Sequence, residues 1–217
     1  MQQSQLRQQM VENQIVARGV KDPAVLTAMR TVARELFVAP DLASFAYSDK
    51  PLEIPESQSI SQPYIVALML EALQLEPEAR VLEIGTGSGY AAAVLSQLAD
   101  EVHTVERLPG LAAEAAERLR RLGYANVHCH LGDGSLGWVE AAPYDAIVVA
   151  AASPKVPQAL RAQLKPGGRL VVPVGRPNEQ RLRRILRTES GYEEADLGPV
   201  RFVPLIGEGG WPIASDK

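Results

Sequence analysis

Val81-Leu82-Glu83-Ile84-Gly85-Thr86-Gly87-Ser88-Gly89-Tyr90 is the stretch on which the reading of this 217-residue chain turns. A short apolar strand runs into a turn with glycine at every second position, and an Ala-rich helix follows over 90–98. Glycines in such a turn allow positive φ and leave main-chain N–H groups open to a ligand. Strand, glycine turn and helix N-terminus together form a nucleotide-cofactor site in α/β sheets. Dinucleotide turns read G-x-G-x-x-G, whereas here Glu83 precedes Gly85, Gly87 and Gly89 at alternate positions. A carboxylate there repels a diphosphate and attracts an ammonium group, such as that of the methionine moiety of S-adenosylmethionine. A ligand-free strand-to-helix connection would use the same glycines, so the turn has to be weighed with its neighbours.

Downstream, strands alternate with helices. Strands are expected over 81–84, 102–106, 126–131, 145–150 and 169–174, and helices over 90–98, 111–122 and 156–164, the last stopped by Pro166-Gly167-Gly168. This rhythm predicts parallel strands buried on both faces and joined by right-handed crossovers. Past Gly175 the helices vanish, and 182–188 and 201–205 read as strands that close the sheet with an antiparallel edge. Upstream, apolar positions at Met10, Ile15 and Val16 suggest a helix over about 5–18 that stops at Gly19, and Asp22-Pro23 reads as the cap and first residue of a second. From Phe37 to Pro63 periodicity is lost, and this stretch is either a functional loop or a packed linker. A helix resumes after Pro63. The fold expected is α/β, a doubly wound, mostly parallel Rossmann-like sheet with an antiparallel C-terminal edge and an N-terminal helical annex. One domain is expected over 1–217, with helices and loop in 1–75 and the α/β core in 76–217.

Composition narrows the function. Apolar residues make up 46% and charged residues 22%, as in ordinary globular proteins, and the net charge of −4 argues against nucleic acid as the main partner. A single cysteine, Cys129, excludes an internal disulfide framework. No apolar run is long enough to span a membrane, and the polar start Met1-Gln2-Gln3-Ser4-Gln5 lacks a secretory core, so a cytoplasmic protein is expected.

Ligands of open α/β sheets sit beyond the carboxyl ends of the strands. There the chain places Glu83, then Glu106, where a carboxylate can accept from ribose hydroxyls, then Asp133 between Gly132 and Gly134, where an acceptor and a backbone N–H can read an adenine edge. Any one of these acids alone is an ordinary turn residue, but three at successive strand ends point to a cofactor. His128 and His130 flank Cys129 on one strand face without a further ligand nearby, so no metal is expected. Neither a Ser/His/Asp set nor a nucleophilic cysteine is legible, which leaves positioning as the means of catalysis.

These residues resemble the protein-L-isoaspartate (D-aspartate) O-methyltransferase family. The resemblance is carried by Met10-Val11-Glu12-Asn13-Gln14-Ile15, Arg34-Glu35-Leu36-Phe37-Val38, Ser59-Ile60-Ser61-Gln62-Pro63-Tyr64-Ile65-Val66-Ala67, the glycine turn, Gly132-Asp133-Gly134, the strands over 144–149 and 167–175, and Val200-Arg201-Phe202-Val203-Pro204-Leu205. It implies a class I methyltransferase that transfers a methyl group from S-adenosylmethionine to the free α-carboxylate of an isoaspartyl or D-aspartyl residue, and so starts repair through a succinimide. It further implies Ser61 as the catalytic serine, Ser59, Ile60 and Ser61 as substrate-binding residues, and Glu83, Gly85, Thr86, Gly87, Glu106, Asp133 and Gly134 as cofactor-binding residues. Damaged peptides and proteins are the expected partners of a monomer that binds neither nucleic acid nor membrane. The family commonly has Ile-Gly-x-Gly-Gln-Thr-Ile-Ser where this chain has Ile54-Pro55-Glu56-Ser57-Gln58-Ser59-Ile60-Ser61. That departure leaves open a carboxyl methyltransferase of a dedicated peptide, or a cofactor-binding module without turnover.

Overall fold

The computed structural model describes residues 2–212. Helix α1 (Gln2–Met10) continues through a π turn at Val11–Ile15 and a 3-10 turn at Val16–Arg18, and ends where Gly19 takes a φ of 96°. Asp22 caps α2 (Pro23–Thr31) by accepting from the N–H groups of Ala24 at 2.8 Å and Val25 at 3.3 Å, which answers the donors a helix start leaves unpaired. Two 3-10 turns, Arg34–Phe37 and Pro40–Phe45, lead to a hairpin of β1 (Leu52–Ile54) and β2 (Gln58–Ile60). Helix α3 (Pro63–Leu73) follows. The hairpin lies in the stretch that the sequence left without regular structure. Its strands are too short to show alternation, and its turn runs through Glu56 and Ser57 at φ 59° and 56° without the glycine that would flag it.

The remaining elements are β3 (Arg80–Ile84), α4 (Tyr90–Leu95), β4 (Glu101–Glu106), α5 (Pro109–Arg121), β5 (Val127–Leu131), β6 (Tyr144–Val149), α6 (Gln158–Ala162), β7 (Leu164–Arg176), β8 (Glu179–Arg187) and β9 (Tyr192–Val200). They form a seven-stranded sheet in the order β5-β4-β3-β6-β7-β8-β9. The pairings from β5 to β7 are parallel, and β8 and β9 run antiparallel. Alternation sends Val81, Val102, Ala146, Val148 and Val171 to one face, where they pack with Met10, Ile15, Met29, Leu70 and Leu95. Leu82, Ile84, Val105, Ile147, Val149 and Leu170 meet Leu160 and Leu164 on the other. The N-terminal helices are thus a layer of the core, each buried large apolar side chain contributing on the order of 1.5–3 kcal/mol.

Two elements differ from expectation. Strand β7 begins at Leu164 and includes the Pro-Gly-Gly stretch, because Gly168 lets the carbonyls of Lys165, Asp145 and Tyr144 approach to where a side chain would stand. The outer edge strand is Tyr192–Val200, whereas 201–205 makes only an isolated bridge, Pro204 to Ala152. Strand β9 is half solvated and rich in acids, so it carries no apolar signature. Its register against β8 is instead accompanied by ion pairs from Arg181 and Arg183 to Asp196.

Helix α3 ends on exposed Gln74, a left-handed residue at φ 50°. Gln74→Gly is expected to raise the unfolding free energy by about 0.5–1 kcal/mol, because glycine adopts that cap without strain. A urea midpoint at or below that of the parent would contradict this.

Candidate active site

The chain leaves β3 toward β4 and β5, and leaves β6 in the opposite direction toward β7, so a crevice opens above the neighbouring tips of β3 and β6. Pairing persists one residue past the strands: the Gly85 N–H donates to the Val105 carbonyl at 2.9 Å and the Ala150 N–H to the Ile84 carbonyl at 2.8 Å. Beyond that the backbone turns away at Gly85 and Gly87, with φ of 93° and 52°. The resulting cavity encloses about 1150 Å³ of empty space, part of it open to solvent.

Ser59, Ile60, Ser61, Glu83, Gly85, Thr86, Gly87, Glu106 and Gly134 all line this one cavity. The first three arrive on the β1–β2 hairpin and its exit toward α3. The hairpin lies against the glycine turn, with Ile54 Cδ1 3.3 Å from where a Cβ on Gly87 would stand, and Glu56 meets Gly110 at the start of α5. Glu106 accepts from the backbone N–H groups of Gly87 at 3.0 Å, Arg107 at 2.8 Å and Leu108 at 3.0 Å. A carboxylate has about four acceptor positions, so capacity remains on Oε2, which receives one of the three.

Asp133 is placed differently. It is not among the residues lining the cavity. Its Oδ1 accepts from the Ser135 N–H at 2.9 Å and hydroxyl at 2.6 Å, and its Oδ2 from the Glu208 N–H at 2.8 Å. It therefore ties the C-terminal turn to the end of β5, and Gly134 alone of that pair faces the cavity. Gly134 has no room for a side chain, since a Cβ there would fall 2.4 Å from Ile84 Cγ2.

Glu83 is buried, and among the described residues its side-chain donor is the Thr104 hydroxyl at 2.6 Å. Because Thr104 has a single proton to give, Thr86 donates in turn to Thr104 at 2.6 Å. Burial pushes the Glu83 carboxyl up to about 8; the Thr104 bond opposes this, and the nearby Glu106 carboxylate adds to it. A cation entering the cavity would reverse the balance.

Several lining residues were not singled out in the sequence. Phe202, Val203, Pro204, Leu205 and Ile206 form an apolar wall, and Tyr90 and Leu108 others. Residues 201–205 read as an edge strand, and their site signal was their place in the matching text over 200–205. His103, His128 and His130 lie outside the cavity. His103 Nδ1 and His130 Nε2 are 2.9 Å apart, and His130 stacks on Trp138 with centroids at 4.0 Å. Among the described residues, no group of three or more His, Cys, Asp or Glu is arranged to hold a metal, and no helix is long and apolar enough to cross a membrane.

Comparison with known proteins gives consistent matches. The family model for protein-L-isoaspartate(D-aspartate) O-methyltransferase (PCMT) matches residues 4–210. The chain is 57% identical over 207 residues to protein-L-isoaspartate O-methyltransferase 1 of Geotalea uraniireducens, covering 94% of each. It is 53% identical over 210 residues to the protein-L-isoaspartate O-methyltransferase of Protochlamydia amoebophila, covering 96% of this chain and 100% of that one. A solved structure of a protein-L-isoaspartate O-methyltransferase superposes with a TM-score of 0.83 at 32% identity, over 94% of this chain and 67% of that one. Another, from Plasmodium falciparum and named for the same activity, holds S-adenosyl-L-homocysteine; it superposes with a TM-score of 0.79 at 26% identity, over 92% of this chain and 98% of that one.

The buried carboxyl of Glu83 has a measurable consequence for the ligand-free protein. Its proton is held more tightly in the fold than in the unfolded chain, so its stabilising contribution is complete below the ordinary carboxylate range and is lost as pH rises through about 8. Glu83→Gln should therefore gain stability relative to the parent as pH is raised from about 4.5 to 8, read from urea unfolding at each pH. A difference between the two proteins that stays constant with pH would contradict the assignment.

Proposed function

This chain belongs to the protein-L-isoaspartate (D-aspartate) O-methyltransferase family, and from that premise we propose that it methylates the free α-carboxylate of L-isoaspartyl and D-aspartyl residues in damaged proteins with S-adenosylmethionine as donor. The observation that carries this reading is a single cavity with Glu83 and Glu106 at neighbouring strand tips and Ser59 to Ser61 across its mouth. Its chemistry suits the donor: two carboxyl groups for a cation and for hydroxyls, apolar walls for a purine, and glycines with no side chain to fill the space. When bound, S-adenosylmethionine supplies a methyl group on a sulfonium, which needs no further activation to leave.

In this reading Gly85, Thr86 and Gly87 hold the methionine end, with Glu83 facing its ammonium group, while Glu106 accepts from the ribose. Gly134 and Asp133 stand at the adenine, Asp133 by fixing the turn that carries the Gly134 N–H. The acceptor carboxylate is ionised at neutral pH and requires no general base. What the chain must do is hold that oxygen in line with the methyl carbon, and such positioning contributes on the order of 7–11 kcal/mol. Ser59 and Ile60 grip the acceptor backbone and Ser61 orients the carboxylate; Ser61 is not a nucleophile. The methyl ester is then lost to the neighbouring amide nitrogen as the succinimide closes, releasing methanol, and hydrolysis returns part of it as normal aspartate.

The helices and hairpin of 1–75 and the core of 76–217 act as one unit in this scheme, since the acceptor residues come from the first and the donor site from the second. The protein is read as a cytoplasmic monomer that engages isoaspartyl peptides and proteins and neither nucleic acid nor membrane.

An isoaspartyl peptide offered beside its normal aspartyl twin should be methylated, the twin not. Methylation of the aspartyl form alone would make this a dedicated-peptide enzyme, and none of either with cofactor bound would make it a binding module. Ser61→Ala is expected to lower kcat/KM for the isoaspartyl peptide by about 10- to 100-fold while S-adenosylhomocysteine affinity, by calorimetry, stays within about threefold. Equal losses in both would contradict the orienting role.

A further inference from the structure

Arg34 is fully buried, and among the described residues its guanidinium faces no carboxylate. Nε donates to the Ala46 carbonyl at 2.8 Å and one terminal nitrogen to the Ser61 carbonyl at 2.8 Å. The other terminal nitrogen is buried without a hydrogen-bond partner among the described residues. The carbon at the centre of the guanidinium lies 4.7 Å from the centroid of the Tyr90 ring, and Tyr90 lines the cavity where α4 begins.

A buried cation without a counterion is costly, and an apolar side chain of similar volume would fill the same space more cheaply. What an apolar side chain cannot do is hold two carbonyls in a rigid fork. One of those carbonyls belongs to Ser61. Arg34 therefore links the segment that carries the acceptor serine to the tyrosine that opens the helix after the glycine turn. It also sets a positive charge behind that segment, in a low-dielectric surrounding, while both cavity acids come from the strand tips.

Resting on the carboxyl-methylation reading above, we propose that Arg34 is a positioning residue for the acceptor: it fixes the Ser61 backbone against the donor site, and its uncompensated charge favours entry of a carboxylate. It does not touch the donor. Loss of the guanidinium should thus fall on the peptide and spare the cofactor.

The test measures kcat and KM for an isoaspartyl peptide, S-adenosylhomocysteine affinity by calorimetry, and thermal unfolding in the parent, Arg34→Met and Arg34→Lys. Arg34→Met is expected to unfold cooperatively and bind S-adenosylhomocysteine within about threefold of the parent, with kcat/KM for the peptide reduced at least about 30-fold, largely through KM. Arg34→Lys, which keeps the charge and loses the fork, should recover about a third to a tenth of the parental kcat/KM. If Arg34→Met does not fold, the lysine variant decides alone: a fall in peptide kcat/KM with cofactor affinity kept supports the role. Parental kcat/KM in either folded variant, or proportional loss of peptide activity and cofactor affinity, overturns it. A parent enzyme with no activity on the peptide overturns the carboxyl-methylation reading, and this inference with it.

Discussion

The structure depends on two parallel strands that stay hydrogen-bonded to their tips and then part. Strands β3 and β6 are neighbours in the sheet, yet their chains depart to opposite sides. Where they part, backbone and side chains that would otherwise pack against a crossover are left facing a crevice. The glycines of the turn keep that crevice open, and the acids at the ends of β3 and β4 give it its sign. The N-terminal helices pack on that sheet, and the hairpin exit and residues 202–206 line that opening.

The cover comes from both ends of the chain. The hairpin of residues 52–60 reaches the turn from the N-terminal side, and Phe202 to Ile206 form the wall from the C-terminal side. The C-terminal wall is held by Asp133 and Ser135, with Ser135 Oγ accepting from the Gly209 N–H at 2.8 Å, and by the Trp211 indole donating to the Ala152 carbonyl at 3.0 Å. Two buried ionisable groups lie on the two sides of the site. Glu83 is held protonated more tightly than a free carboxyl until a cation arrives, and Arg34 lies behind the acceptor segment without a counterion among the described residues. Both are costly in the empty protein, and each suits the charge of the ligand on its own side.

Strand-end acids were legible in the sequence because short apolar runs mark the strands and the acids stand at or just past their ends. Glu83 and Glu106 follow from the length of their strands, and the parallel character of the sheet follows from the strand–helix rhythm. What escaped depends on contacts between distant segments. Strand β9 is half solvated and shows itself only through its arginine partners on β8. The hairpin turn places Ser57 in a left-handed conformation at φ 56°, where the resembling family has glycine, so the residue that would have announced the turn is missing. Asp133 was read correctly as a strand-end acid, but its carboxylate oxygens are engaged by Ser135 and Glu208, a segment some 75 residues away. Arg34 stood in matching text, and only the fold shows that its guanidinium meets Ser61.

The central claim is that the crevice above β3 and β6 is where an adenosyl donor lies, under the flap that brings the acceptor. The most direct measurement is a crystal structure of the protein grown with S-adenosylhomocysteine. The account predicts the ribose hydroxyls on Glu106, the amino acid end beside Glu83 and Gly85, and the sulfur on the side of Ser61. The ligand lying elsewhere at saturation, or Glu106 keeping its backbone partners with no ribose contact, would contradict it.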